Sequence, residues 1–205
     1  MDVSFFWQGL AIGFSIAAPV GPIGVLCIRR TLAAGMAVGF VSGLGAALAD
    51  AIYGATAAFG LTALTDLLVK QQTWLRVVGG LYLCYLGVRT FIARPAEKPA
   101  EIKAGNLAGA FLSTLLLTLA NPTTIVSFIG VFAGFGLGAG AGSYGTAGLM
   151  VAGVFLGSAF WWLLLSGGVG YLRDRFDARK LAWVNRFSGA VILAFGLAAL
   201  FVMKR

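Results

Sequence analysis

Pro19 and Pro22, with Gly21 between them, interrupt an apolar run that starts at Val3 and reaches Ile28. At 26 residues the run is longer than the ~20 that a spanning helix needs. Proline removes a backbone donor and clashes with the preceding turn, and glycine adds no side chain to hold the helix. The segment is therefore expected to form two half-helices that meet at a break. Backbone freed at that depth cannot face lipid and has to be buried in protein or line a wet cavity. The device recurs at Leu119-Ala120-Asn121-Pro122-Thr123-Thr124, inside a second apolar run from about Leu107 to Phe132. Interrupted spans in corresponding halves of a chain mark the binding site in membrane transport folds.

Composition agrees with a membrane chain. Of 205 residues, 60% are hydrophobic and only 11% charged, against about 25% charged in a soluble domain. The net charge of +8 does not indicate a nucleic-acid partner, because the basic residues cluster at span ends, as membrane topology requires. There is no basic segment ahead of the first apolar run, so residues 3–28 read as a retained span and not as a cleaved signal. Cys27 and Cys84 do not form a CxxC pair and there is no histidine, so no disulfide framework, metal site or cofactor is indicated.

Five further apolar runs follow. They cover about 35–64, interrupted only by Asp50, then 74–92, 107–132, 149–171 and 183–203. Residues 93–106 form a hydrophilic linker, residues 134–148 a glycine-rich loop, and residues 173–180 a charged turn. The third and sixth spans align without a gap at an offset of 109, pairing Trp74 with Trp183, Gly80 with Gly189 and Gly87 with Gly196. Pro19 pairs with Pro122 at the similar offset of 103. A three-helix unit ends on the side opposite its start, so the second unit enters upside down. The expected fold is an all-α membrane protein of six transmembrane helices in two inverted three-helix repeats, the first and fourth helices broken at proline. Residues 1–205 form one transmembrane domain, with repeat one at 1–92, the linker at 93–106 and repeat two at 107–205.

Orientation follows from the basic residues. One side holds Lys70, Arg76, Lys204 and Arg205, which are four. The other holds Arg29, Arg30, Arg89, Arg94, Lys98, Lys103, Arg173, Arg175, Arg179, Lys180 and Arg186, which are eleven. The richer side is expected in the cytoplasm, with both termini outside.

Asp50 is the one acid in the middle of any span. A carboxylate there costs roughly 2.5–3.5 kcal/mol even on the lenient insertion scale, so it has to face the bundle interior with a partner or a proton. The bland alternative is a hydrogen-bonded packing aspartate. Asn121-Pro122 and Gly21-Pro22 read as starts of new half-helices, since Asn caps well and Pro suits the first helical position. Such an N-terminus offers free N–H groups and partial positive charge to a carboxylate; the alternative is a kink without a ligand. The candidate set for substrate and proton is thus Asp50, Pro19, Gly21, Pro22, Asn121, Pro122, Thr123 and Thr124. The spacings Gly35-xxx-Gly39-xxx-Gly43 and Gly153-xxx-Gly157 permit close helix approach. Packing within one chain is the preferred reading and a homodimer the other. Trp7, Trp74 and Trp183 suit the interfacial belt, while Trp161 and Trp162 lie deeper, where a cavity, packing or lipid would each accommodate them.

The run Pro19-Val20-Gly21-Pro22, followed by Arg30, Gly35, Gly39, Gly43, Gly45 and Asp50, resembles the lysine-exporter (LysE/RhtB) family. Asn121-Pro122 and the tryptophan and glycines of the third and sixth spans extend the resemblance over essentially the whole chain. It implies a six-helix exporter of amino acids or related metabolites in a bacterial-type inner membrane, driven by the membrane gradient. Family members often carry a polar residue just after the Gly-Pro, where this chain has Ile23 and Gly24; the family name therefore does not assign lysine as substrate.

An amino acid is a zwitterion, and the sequence offers two poles for it: half-helix N-termini for the carboxylate and Asp50 for the ammonium. One buried carboxylate can be neutralised by a proton or by an ammonium in turn, which gives proton-driven export a simple exchange logic. A membrane thiol or electron carrier is the second class, but Cys27 has no counterpart in the fourth span. A divalent-cation exporter is the third, and it lacks clustered ligands. No nucleophile–base pair suggests an enzyme.

Overall fold

The computed structural model describes residues 3–59, 72–93, 104–121, 124, 128, 144–173 and 178–201. Among them the chain is all-helical, in seven helices: α1 (Ser4–Ala17), α2 (Pro22–Ala34), α3 (Met36–Ala58), α4 (Gln72–Phe91), α5 (Ala104–Leu119), α6 (Tyr144–Leu172) and α7 (Ala178–Phe201). Three stretches are long and apolar enough to cross a bilayer: α3, α6 and Arg179–Ala198 of α7. The bent pair α1–α2 makes a fourth, and Val77–Phe91 and Leu107–Leu119 are shorter apolar helices. The expected second half-helix after Asn121 lies, apart from Thr124 and Phe128, outside the described residues.

The prolines act as the sequence predicts. The last bond of α1 runs from the Ala18 N–H to the Phe14 carbonyl, and the Gly21 N–H turns back to the Pro19 carbonyl, both at 2.9 Å. Gly21 is extended and caps α2, whose first residue is Pro22. That position suits proline because its missing N–H would have had no intrahelical partner. The two half-helices meet at 79°.

The first span does not stop at the basic pair. α2 continues through Arg29 and Arg30 to Ala34. Its end is set by Gly35, whose φ of +97° favours glycine and whose N–H closes on the Thr31 carbonyl at 2.8 Å. Two arginines make the extra length tenable. Arg30 donates to Ser42 Oγ, Ser113 Oγ, Thr114 Oγ1 and the Ala110 carbonyl at 2.8–3.0 Å. Arg173 donates to the Leu32 carbonyl at 3.0 Å and the Ala33 carbonyl at 3.4 Å, placing a cation where the helix dipole is negative. Other boundaries also differ from the apolar runs: α5 starts inside the hydrophilic linker, α6 inside the glycine loop and α7 inside the charged turn. Polar residues continue a helix beyond the apolar layer, where water satisfies their side chains.

Backbone contact at glycines holds the helices together. A Cβ on Gly9 would run into the Met150 carbonyl, one on Gly13 into the Val154 carbonyl, and ones on Gly153 and Gly157 into the Phe6 and Leu10 carbonyls. Contacts rising together along both chains make α1 and α6 parallel. Gly45 lies on the Phe111 carbonyl, and Tyr53 Oη donates to the Leu119 carbonyl, so α3 and α5 are also parallel. Gly80 meets Gly196 and Gly87 meets Gly189, so α4 and α7 are antiparallel. α3 packs in addition on α6, and Gly43 faces Trp162 there. Both small-residue series thus serve contacts within the chain, by the close approach such residues allow. One core cluster gathers Ile12, Tyr53, Met150 and Val154; a second gathers Leu26, Ala46, Trp162 and Ile192. Trp7, Trp74 and Trp183 are exposed on the outer surface.

Gly157→Val should lower the melting temperature in detergent clearly, since overpacking costs about 1–3 kcal/mol or more and the added carbon would meet the Leu10 backbone. Gly148→Ala, where nothing lies within 4 Å of the added carbon, should leave melting unchanged. Equal melting of the two variants would show that the α1–α6 contact does not carry the fold.

Candidate functional site

The bend between α1 and α2 opens onto a cavity of about 250 Å³. Pro19, Val20, Gly21 and Pro22 form one wall, with Ile16 and Ala17 from the end of α1 and Ile23 and Gly24 from the start of α2. α3 contributes Ala46 and Asp50, α5 contributes Thr118, and the segment beyond it contributes Asn121 and Thr124. Trp162 of α6 and Phe195 of α7 complete the lining. The two interruptions of the sequence, more than ninety residues apart, thus line one space together with Asp50.

Six of the eight residues singled out from the sequence line this cavity: Asp50, Pro19, Gly21, Pro22, Asn121 and Thr124. Pro122 and Thr123 lie outside the described residues.

Asp50 is 4% exposed. Its Oδ2 accepts from Ser158 Oγ at 2.7 Å, and that hydroxyl in turn accepts from Trp162 Nε1 at 3.2 Å. The chain Trp162–Ser158–Asp50 fixes the carboxylate from the α6 side with neutral donors. No cation among the described residues pairs with it. A buried carboxylate without a cation retains affinity for one, or for a proton.

The helix ends around the cavity supply the other polar groups. In α2 the Val25 N–H is the first to reach a carbonyl within its own turn, that of Gly21, at 3.0 Å. Pro22 has no N–H, so the first-turn donors with no earlier helical carbonyl are those of Ile23 and Gly24, both in the cavity wall. This is the positive pole of the site. At the end of α5 the carbonyls carry the opposite partial charge. Leu119 gives its carbonyl to Tyr53, Thr118 gives its carbonyl to the Asn121 N–H at 3.1 Å, and Asn121 gives its own to the Thr124 N–H at 3.1 Å. Thr118, Asn121 and Thr124 are the other polar residues of the lining, and Asp50 is its one charged side chain among the described residues.

The sequence did not single out Ser158, Thr118 or Phe195. Serine and threonine are ordinary packing residues in membrane helices, and only the parallel pairing of α3 with α5 and the packing of α3 on α6 bring these two beside Asp50. Trp162, for which the sequence leaves cavity, packing and lipid open, is 4% exposed and lines the cavity. Its neighbour Trp161 packs edge-on against Phe14 instead. Cys27 is fully buried in α2 and Cys84 lies against Gly196; neither lines the cavity. Among the described residues no three His, Cys, Asp or Glu side chains converge as a metal site would need.

Comparison with known proteins gives the family. The LysE type translocator family matches over residues 14–202. The putative amino acid efflux protein YcgF of Bacillus subtilis (strain 168) is 26% identical over 201 residues, covering 95% of this chain and 94% of that protein. The threonine efflux protein of Escherichia coli (strain K12) is 28% identical over 144 residues, 64% of this chain and 68% of that protein. The uncharacterized membrane protein YahN of the same strain is 28% identical over 179 residues, 85% of this chain and 79% of that protein. No solved structure matches. With a family match across nearly all of its length, and with membrane-spanning helices arranged around a polar cavity, this chain belongs to the LysE type translocator family.

Proposed function

We propose that this protein is a secondary active exporter of amino acids or related small metabolites across a bacterial-type cytoplasmic membrane, coupled to protons, with no enzymatic step. The observation that carries the reading is the cavity in which Asp50 lies among helix ends. Its size suits a small metabolite: pockets for drug-sized ligands run to ~300–1,000 Å³. The substrate carboxylate binds at the N–H groups of Ile23 and Gly24, and its ammonium at Asp50. Export follows from exclusion. Asp50 holds either a proton or an ammonium, so an inward proton displaces an outward substrate. The efflux proteins named among the relatives support this class of cargo.

The helix directions support the inverted repeat, one domain over residues 1–205 with units at 1–92 and 107–205. In an upside-down copy the second helix of one unit runs parallel to the first helix of the other. That is the relation of α1 to α6 and of α5 to α3. The third helices then pair antiparallel, as α4 and α7 do. The sequence offset of 109 carries Gly80 to Gly189 and Gly87 to Gly196, so it converts the contact Gly80–Gly196 into Gly189–Gly87. This pair of contacts is thus exchanged into itself, which supports a two-fold axis in the membrane plane.

Asp50→Asn keeps size and hydrogen bonding and should fold, but efflux from cells loaded with threonine, serine, leucine or lysine should fall to the level of cells lacking the protein. Asp50→Glu should keep partial activity, and the linker control Glu101→Gln full activity. A well-folded Asp50→Asn variant that exports against a gradient at the wild-type rate would make Asp50 a packing residue.

Arg29 and Arg30 lie in the last half of α2 and Arg173 bonds the Leu32 carbonyl at its end, while Arg29 Nε donates to Asn185 and Asn185 Nδ2 to the Ala93 carbonyl. This supports a basic cytoplasmic face with both termini outside. A cysteine at position 100, with Cys27 and Cys84 replaced, should react with an impermeant maleimide in inverted vesicles only. Labelling from the outer face would reverse the orientation.

A further inference from the structure

Buried hydroxyls in a membrane helix ordinarily turn back onto their own helix. Thr31 donates to the Cys27 carbonyl, Ser42 to Val38, Thr56 to Tyr53, and Ser113 and Thr114 to Ala110. Ser158 instead donates to Asp50, and among the described residues three further buried hydroxyls, Thr90 Oγ1, Thr118 Oγ1 and Ser166 Oγ, have no hydrogen-bond partner at all. Of these, only Thr118 lines the cavity. It is 4% exposed. Leaving a buried hydroxyl unpaired is costly, and Thr31, Thr56 and Thr114 show how easily the cost is avoided.

The level of Thr118 follows from the register of α3 on α5. Gly45 lies against Phe111 and Leu115, and Tyr53 reaches Leu119. Asp50, between Gly45 and Tyr53, is therefore level with Thr118. Thr118 also stands in the last turn of α5, where carbonyls give the helix end its partial negative charge. A cation at Asp50 would lie beside an oxygen that has nothing else to accept from.

We infer that Thr118 Oγ1 is a substrate ligand, accepting a hydrogen bond from the ammonium that Asp50 neutralises. The inference rests on the exporter reading above and adds to it a second oxygen for the cationic group. The hydroxyl has no partner among the described residues and becomes paired when substrate enters. Its contribution belongs to binding and not to the fold.

The probe is uptake of labelled L-threonine, or of L-leucine where the wild type carries that faster, into proteoliposomes in counterflow. Thr118→Val, which keeps the shape and removes the oxygen, should raise KM by about tenfold or more, the worth of a hydrogen bond to a charged group. The maximal rate should hold, and substrate-free melting should hold or rise, because an unpaired hydroxyl has been removed. Thr118→Ser should recover the wild-type KM. Thr118→Ala gives the same reading if the valine variant does not purify. Thr90→Val removes an equally buried, unpaired hydroxyl away from the cavity and should leave KM alone. An unchanged KM in Thr118→Val, with export abolished in Asp50→Asn, would overturn the role of Thr118 and leave the exporter reading standing. A fall in melting with unchanged KM would make the hydroxyl structural and overturn it as well. If Asp50→Asn also exports at the wild-type rate, the exporter site itself is wrong and this inference falls with it.

Discussion

The rest of the structure depends on what happens to backbone hydrogen bonds at residues 18–24. A helix through a bilayer normally satisfies every N–H and C=O internally. Here Pro19 and Pro22 prevent that, and the two half-helices part at 79°. The break is kept short by the bonds Ala18 to Phe14 and Gly21 to Pro19, which satisfy what the turn itself can satisfy. The first-turn donors of α2 remain, and they border the cavity. The remaining helices enclose this opening so that its polar groups meet a polar space and not lipid.

That enclosure needs close walls, and glycine supplies them. α1 touches α6 backbone to backbone at Gly9, Gly13, Gly153 and Gly157, while α4 touches α7 at Gly80, Gly87, Gly189 and Gly196. Larger residues at these positions would hold the helices apart and widen the cavity. Packing and site are therefore one problem: the approach distance of the helices sets the width of the space around Asp50. Dispersion between closely matched surfaces, and not burial from water, drives association within a bilayer.

Much of this was legible in the sequence because it involves residues that are out of place. Proline and glycine inside an apolar run, an acid in a span and an Asn-Pro step each break a local rule, and all of them that are described line the cavity. Arg30 breaks a rule too, yet a basic residue just past an apolar run is what any span boundary shows. Nothing local reveals that Ser42, Ser113, Thr114 and the Ala110 carbonyl will surround it. Ser158 and Thr118 break no rule at all. Their significance lies in the register of one helix on another, which is long-range information that periodicity does not carry. Helix ends depart from the apolar runs where a helix extends past the apolar layer, because apolar length measures the bilayer and not the helix.

The carboxylate and the helix ends opposite it are mounted differently. Asp50 stands mid-way along α3, an uninterrupted helix of 23 residues, braced by Ser158 from a second long helix. The donors of Ile23 and Gly24 stand at a joint. A change in the angle between α1 and α2 would thus leave the negative pole where it is and swing the positive pole toward it or away. The spacing between the two poles is set by a single backbone corner.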